Sequence, residues 1–229
     1  MLELKVWGPY ACFTRPENKV ERVSYDVMTP SAARGVLEAV FWKPEFEWRV
    51  REIHVLNPIR RFSILRNEVN ALASERAAQS WAKSGGGYVA DEDRAQRHSL
   101  ILRDVAYVIR ADIVLKPHTR DPLPKYTDMF TRRASKGQAF HQPYLGTREF
   151  TGFFELPDGQ EQPIDLSDEL GRMLFDLRFE QAKKGRLKYR AHDGETAAWV
   201  SGNATPSFFR ARLEHGVLHV PPELYGEGV

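Results

Sequence analysis

The sequence predicts an α+β fold: a ferredoxin-like N-terminal domain over residues 1–154, carrying an inserted segment at about 66–100, and a smaller C-terminal antiparallel β-sheet domain over 155–229. Three observations predict it. Apolar periodicity in the first part follows the order strand, helix, strand, strand, helix, strand, which is that of a split βαβ unit. Beyond Phe154 helical spacing gives way to alternation. The chain is also long enough, at 229 residues, to bury its own core without staples, and its single Cys12 allows no internal disulfide.

Leu2, Leu4 and Val6 alternate with Glu3 and Lys5 as a first strand that ends at Gly8-Pro9. Thr29-Pro30 then supplies an N-cap followed by proline at the first helical position. Ala33, Val36, Leu37, Val40 and Phe41 recur at helical spacing until Pro44 stops the run. Ile53, Val55 and Asn57 share one strand face, Phe62–Leu65 reads as a short strand, and Val105–Leu115 alternates through a long one. Between these last two lies an excursion with an Ala-rich stretch, Trp81, glycines 85 to 87 and the triplet Asp91-Glu92-Asp93. A second helix is predicted over Pro122–Lys136, closed by Gly137, and a strand through Phe140, Gln142 and Tyr144. In the last part Met173–Phe179 alternates, and Phe209–Leu213 faces Val217–Val220 across Glu214-His215-Gly216 as a hairpin.

Net charge is only +2, but residues 1–150 hold 24 Lys/Arg against 18 Asp/Glu, and residues 151–229 hold 9 against 13. The halves are thus +6 and −4, an asymmetry that points the first half towards a polyanion. No run approaches the ~18 apolar residues of a membrane span, and no apolar leader precedes a cleavage site, so a cytoplasmic protein without membrane contact is expected. No G-x-x-x-x-G-K-[ST] or G-x-G-x-x-G segment is present, which argues against nucleotide hydrolysis. The seven histidines show no zinc spacing, and the acidic triplet reads as a solvated turn, so no metal site and no cofactor are expected.

The most informative segment joins a basic helical face to an aromatic stretch through Gly137. At about 100° per residue, Lys125, Met129, Arg132 and Lys136 form one stripe, while Leu123, Tyr126, Phe130 and Ala134 form the neighbouring apolar face. Tyr126 stands at the boundary. For the stripe alone, a solvated helix over a sheet is a better account than a polyanion site, since exposed lysines and arginines are common on any helix.

Separated phrases change that balance: Val6-Trp7-Gly8-Pro9-Tyr10-Ala11-Cys12-Phe13-Thr14-Arg15-Pro16, Ser24-Tyr25-Asp26-Val27-Met28-Thr29-Pro30-Ser31-Ala32-Ala33-Arg34-Gly35, Trp42-Lys43-Pro44, His54-Val55-Leu56-Asn57-Pro58-Ile59-Arg60, Arg66-Asn67-Glu68-Val69, and Gly137 through Phe150. With them the chain resembles the CRISPR-associated Cas-five proteins of subtype I-C, members of the RAMP superfamily, from the first strand to about Phe154. The resemblance implies a RAMP-type ferredoxin-like domain and an endoribonuclease that cuts the repeat hairpin of a CRISPR precursor RNA without metal. It implies that the protein keeps the 5′ handle of the crRNA and joins Cascade beside its backbone and large subunits. Some relatives also bind duplex DNA.

Metal-free cleavage turns the 2′-hydroxyl against the adjacent phosphorus, leaving a 2′,3′-cyclic phosphate and a free 5′-hydroxyl. One group takes the 2′ proton, another protonates the leaving 5′ oxygen, and a fixed cation opposes the growing charge. In the family a tyrosine directly precedes the Trp-Lys-Pro phrase and a Lys-His pair opens the second helix, the three being its proposed catalytic residues. Here those positions are Phe41 and Lys125-Tyr126. Phe41 has no hydroxyl, and its spacing puts it on the apolar face of the first helix. Lys125 matches the family and suits the cationic part, or else is a solvated first-turn lysine. Tyr126, with an ordinary pKa of about 10, suits an acid better than a base, or else packs against the core. His141 is the reserve proton carrier, imidazole being the side chain that titrates near neutrality, or else a hydrogen-bonded structural residue.

Arg34, Lys43, Arg60, Arg66, Arg132, Arg133, Lys136 and Arg148 are expected to grip the RNA, with Tyr25, Trp42 and Tyr144 as stacking surfaces. The run Lys183, Lys184, Arg186, Lys188 and Arg190 follows an RNA stem or a DNA duplex, or is a basic loop. The departures at Phe41 and Tyr126 leave a second function open, a catalytically impaired scaffold that binds the crRNA handle. A third is an RNA-recognition-like binding module with no assembly role.

Overall fold

The computed structural model describes residues 1–71, 74–193 and 196–226. β1 (Leu2–Ala11) lies at the centre of the amino half, and α1 (Pro30–Val40) follows it. β2 (Phe46–Val55), β3 (Arg61–Val69), α2 (Glu75–Ser84), β4 (Arg94–Leu115), α3 (Leu123–Ser135) and β5 (Phe153–Glu155) complete that half. The sheet order β5-β1-β4-β2, antiparallel throughout and bridged by α1 and α3, is the ferredoxin-like arrangement. Leu4, Val6, Val50, Ile53 and Ile109 send their side chains from the sheet into one core with Val36, Leu37, Phe41, Tyr126 and Phe130.

The helices start and stop where their sequences dictate. Thr29 Oγ1 accepts from the Ala32 N–H at 3.3 Å, Pro30 opens α1, and the chain turns extended at Phe41. α3 buries Tyr126, Phe130 and Ala134 at the predicted spacing, but Leu123, at its first position, is exposed. Gly137 takes φ +62°, and the Gln138 N–H reaches back to the Arg133 carbonyl at 2.9 Å.

Three segments differ from expectation. β1 runs past Gly8-Pro9 to Ala11, because β5 pairs only with Lys5–Trp7 and no neighbour needs the missing Pro9 N–H. The strand expected through Phe140, Gln142 and Tyr144 is an irregular loop whose only ladder contact is Tyr144 opposite Thr151. Pro143 lacks a donor, and the loop's polar groups point inward: Cys12 N–H donates to Leu145 O at 3.0 Å and Gly152 N–H to Pro143 O at 2.9 Å. Finally, residues 66–100, apart from 72 and 73 which lie outside the described residues, are a β3–β4 ribbon joined by α2, a helix with no buried residue. β4 therefore begins at Arg94, well before Val105.

The remaining strands are β6 (Asp168–Gln181), β7 (Leu187–Asp193), β8 (Thr196–Glu214) and β9 (Val217–His219). His215 at φ +48° and Gly216 at φ +76° form the two-residue turn between β8 and β9. β9 pairs with β8 on one side and β2 on the other, so both halves share a continuous sheet. Part of the basic run at 183–190 is thus strand β7. Among the described residues no helix is long and apolar enough to cross a membrane.

Candidate nucleic-acid interface

The end of α1 is the anchor of the candidate site. Phe41 is 1 % exposed, and its carbonyl accepts from the Trp48 indole N–H at 2.9 Å. Its ring meets Phe46 at 5.4 Å, and Phe46 meets Tyr126 at the same separation, so one aromatic chain fixes the end of α1 against the first turn of α3. Arg133 places its guanidinium 5.5 Å from the Phe41 ring centroid and donates to the Val40 carbonyl at 3.4 Å. The Phe140 and His141 N–H groups both reach the Ala39 carbonyl, at 2.8 and 3.4 Å. Trp42, just beyond, meets the edge of His192 on β7 at 5.0 Å. Four separate parts of the chain thus converge on α1's last turn.

The surface they form is cationic and aromatic. Lys43, Arg132 and Lys136 are exposed, and none has a carboxylate partner among the described residues. Phe140 is 83 % exposed, and Trp42 is also open to solvent. His141 is exposed, with Nδ1 3.3 Å from the Gln142 carbonyl.

Lys125 and Tyr126 differ sharply. Lys125 Nζ lies 2.6 Å from Asp121 with half its side chain in solvent, and that hydrogen bond, the largest influence, holds its pKa above the ordinary lysine value. Tyr126 is buried, and its hydroxyl has no hydrogen-bond partner among the described residues. Burial first, then Glu45 and Asp121, push its pKa up, so the phenol stays protonated. Glu45 Oε2 is likewise buried without a partner.

Other candidates stand elsewhere. Arg34 is bonded to Asp176 through Nε and Nη2 and to Glu38 through Nη1. Burial, the largest influence, pulls its pKa down, but Glu38 and Asp176 together outweigh it and raise the value. Arg66 is held by Ser99, Glu68 and Glu149. Arg60 lies 3.6 Å from Asp104, and Tyr25 is buried with Arg15 over its ring. Tyr144 lines a cavity of about 410 Å³ with Thr29, Ser31, Gly35 and Leu177. Arg148 is exposed on the loop beyond it, with no carboxylate partner among the described residues. His192 and Trp199 escaped sequence reasoning; the only signal was the alternation of Lys188, Arg190 and His192.

The sheet face away from the helices has a different character. Lys5 pairs with Glu155 at 2.9 Å and Glu161 at 3.3 Å, Arg110 with Glu3 at 2.7 Å and Glu52 at 3.3 Å, and His54 with Glu52 at 2.7 Å. An RNA-recognition module stacks bases on this face. Here carboxylates claim the cations and would repel phosphate, which leaves the helix-side surface as the one with cations free of carboxylates among the described residues.

Residues 1–221 match the family model described as CRISPR-associated protein (Cas_Cas5). The chain is 51 % identical over 228 residues to the CRISPR pre-crRNA endoribonuclease Cas5d of Thermus thermophilus, covering 99 % of this chain and 93 % of that one. It is 45 % identical over 242 residues to the protein of the same name from Mannheimia succiniciproducens, covering 100 % and 97 %. Among solved structures, a CRISPR-associated protein superposes with a TM-score of 0.62 at 21 % identity, over 97 % of this chain and 92 % of that one. SMU1763c, a functionally uncharacterized protein from Streptococcus mutans, also gives 0.62, at 18 % identity over 97 % and 93 %. These two likenesses concern the fold.

Proposed function

Since the chain belongs to the CRISPR-associated Cas5 proteins of subtype I-C, we propose that it cleaves the repeat hairpin of a CRISPR precursor transcript and stays on the 5′ handle of the guide within Cascade. The observation that carries this reading is the convergence at the end of α1 of cations with no carboxylate partner among the described residues, exposed aromatic rings and an imidazole. It is supported by full-length similarity to two proteins named as pre-crRNA endoribonucleases.

In the proposed reaction the RNA's 2′-oxygen bonds to the adjacent phosphorus as the bond to the 5′-oxygen breaks. The products are a 2′,3′-cyclic phosphate and a free 5′-hydroxyl. Lys125, released from Asp121 by the incoming phosphate, opposes charge on the phosphorane oxygens. His141, exposed at the same end of α1, is the side chain best placed to carry a proton. Tyr126, with its hydroxyl shut inside, serves as the anchor of Lys125. Lys43, Arg132, Arg133, Lys136 and Arg148 hold phosphates, and Trp42 offers a stacking surface.

One observation favours the second reading, a handle-binding scaffold that does not cut: Phe41 has no hydroxyl, and that of Tyr126 is buried. Incubating the protein with its own repeat RNA in excess EDTA, and identifying the product ends, decides between them. Cyclic-phosphate ends from the parent protein, and none from Lys125→Ala, are expected. Tight binding without products would leave the scaffold.

A further inference from the structure

β6 and β7 both pair with β8, and their ladders overlap at one residue, Gly202, which opposes Gln181 of β6 and Leu187 of β7. Residues 182–186 connect the two strands past Gly202, and three of the five are Lys183, Lys184 and Arg186. Two glycines make that close passage possible. A Cβ on Gly185 would fall 2.1 Å from the Gly202 nitrogen, and one on Gly202 would fall 2.3 Å from the Glu180 carbonyl oxygen. Beyond that connection the β7–β8 register is set, and alternation puts Lys188, Arg190 and His192 on one face. Opposite them stand Ser201, Trp199 and Ala197. Trp199, directly across from Arg190, is 73 % exposed. Neither Lys188 nor Arg190 has a carboxylate partner among the described residues. The same face runs into the candidate site, because His192 meets Trp42.

We propose that this ribbon face holds an unpaired stretch of RNA that flanks the repeat stem, with a base stacked on Trp199 and phosphates on Lys188 and Arg190. The proposal rests on the reading of the site as a repeat-RNA site. Exposed indole rings favour an unpaired strand over a duplex, whose base faces are already stacked on one another. The cations, about 6.6 Å apart along the strand, track a single extended backbone. Trp42, one contact away through His192, passes the strand on to the cleavage site.

The test measures the affinity of the full chain for three RNAs: the repeat hairpin alone, the hairpin with its unpaired flank, and the flank alone. Duplex DNA is a fourth probe. Trp199→Ala should reduce the ratio of flanked-hairpin to bare-hairpin affinity about tenfold, and Trp199→Phe should restore most of it. Lys188→Ala with Arg190→Ala should lower the same ratio and flatten its dependence on salt. A ratio unchanged in Trp199→Ala overturns the proposal. So does an equal loss on both hairpins, which would put the stem on the ribbon, or a loss confined to duplex DNA. If the parent protein never cuts the hairpin, yet its flank preference depends on Trp199, the cleavage reading fails and the ribbon proposal stands.

Discussion

Arg34 on α1 and Asp176 on β6 form a two-pronged ion pair, Nε to Oδ2 at 2.9 Å and Nη2 to Oδ1 at 2.8 Å, that ties the first helix to the carboxy-terminal strands. Both side chains are mostly withdrawn from solvent, and removing Asp176 leaves the Arg34 guanidinium with Glu38 alone. Asp176→Ala should therefore lower stability by about 1–3 kcal/mol, read as a lower urea midpoint with an unchanged slope. A variant Arg34→Ala that kept full stability but lost RNA affinity would instead put that guanidinium on the nucleic acid.

Tyr126→Phe separates the hydroxyl from the ring. The hydroxyl is buried without a partner, so its removal should raise stability by about 1 kcal/mol, or about 2–4 °C in Tm. Tyr126→Ala also removes the ring that meets Phe46 and should cost about 3–5 kcal/mol. A Phe variant no more stable than the parent would show that the hydroxyl has a partner in solution. A fall in cleavage at full stability would give it a chemical part.

Gly146→Ala should destabilise strongly. The residue sits at φ +87°, and a Cβ there would lie 2.0 Å from the Cys12 carbonyl oxygen. The neighbouring bond from Cys12 N–H to Leu145 O closes the loop that carries Tyr144 and Arg148. A loss of about 2 kcal/mol or more in thermal unfolding is expected, and a loss near zero would mean that the loop moves away freely.

Glu52 gives the fold a dependence on acid. Burial, its largest influence, pushes its pKa up, but hydrogen bonds from His54 and Arg110 and the nearness of His219 outweigh this and leave it lowered. A carboxylate with a lowered folded pKa contributes stability that is complete above its unfolded value, 4.5, and is lost as pH falls through the lower folded one. Glu52→Gln should be less stable than the parent at neutral pH, and the two should converge as pH drops below 4.5. Parallel stability curves through that window would remove Glu52 from the acid response.

What could be read from the sequence was local. Thr29-Pro30 marked the start of α1, and the apolar spacing with Gly137 marked α3 to within a residue or two. Phe41 also fell in the core, as its spacing required. The alternation of Phe140, Gln142 and Tyr144 reads as a strand, whereas Pro143 and the inward bond from Cys12 to Leu145 leave this stretch a loop. Partnerships across long separations left no local trace. Arg34 finds Asp176 across 142 positions, and nothing near Arg34 distinguishes it from a cation free to meet phosphate. Trp199 faces Arg190 only because β7 pairs with β8 in a register six residues apart from that of β6.

The three-residue strand β9 has an outsize part in keeping the molecule to itself. It occupies β2 from Glu52 to His54, and the Val220 N–H to Arg51 and the Tyr225 hydroxyl to Val50 extend that cover along the margin of the ferredoxin-like sheet. Cut the chain before it, and those amides and carbonyls would face water as an invitation to the next copy's margin. By holding those groups itself, the short strand denies that margin to a strand from another chain.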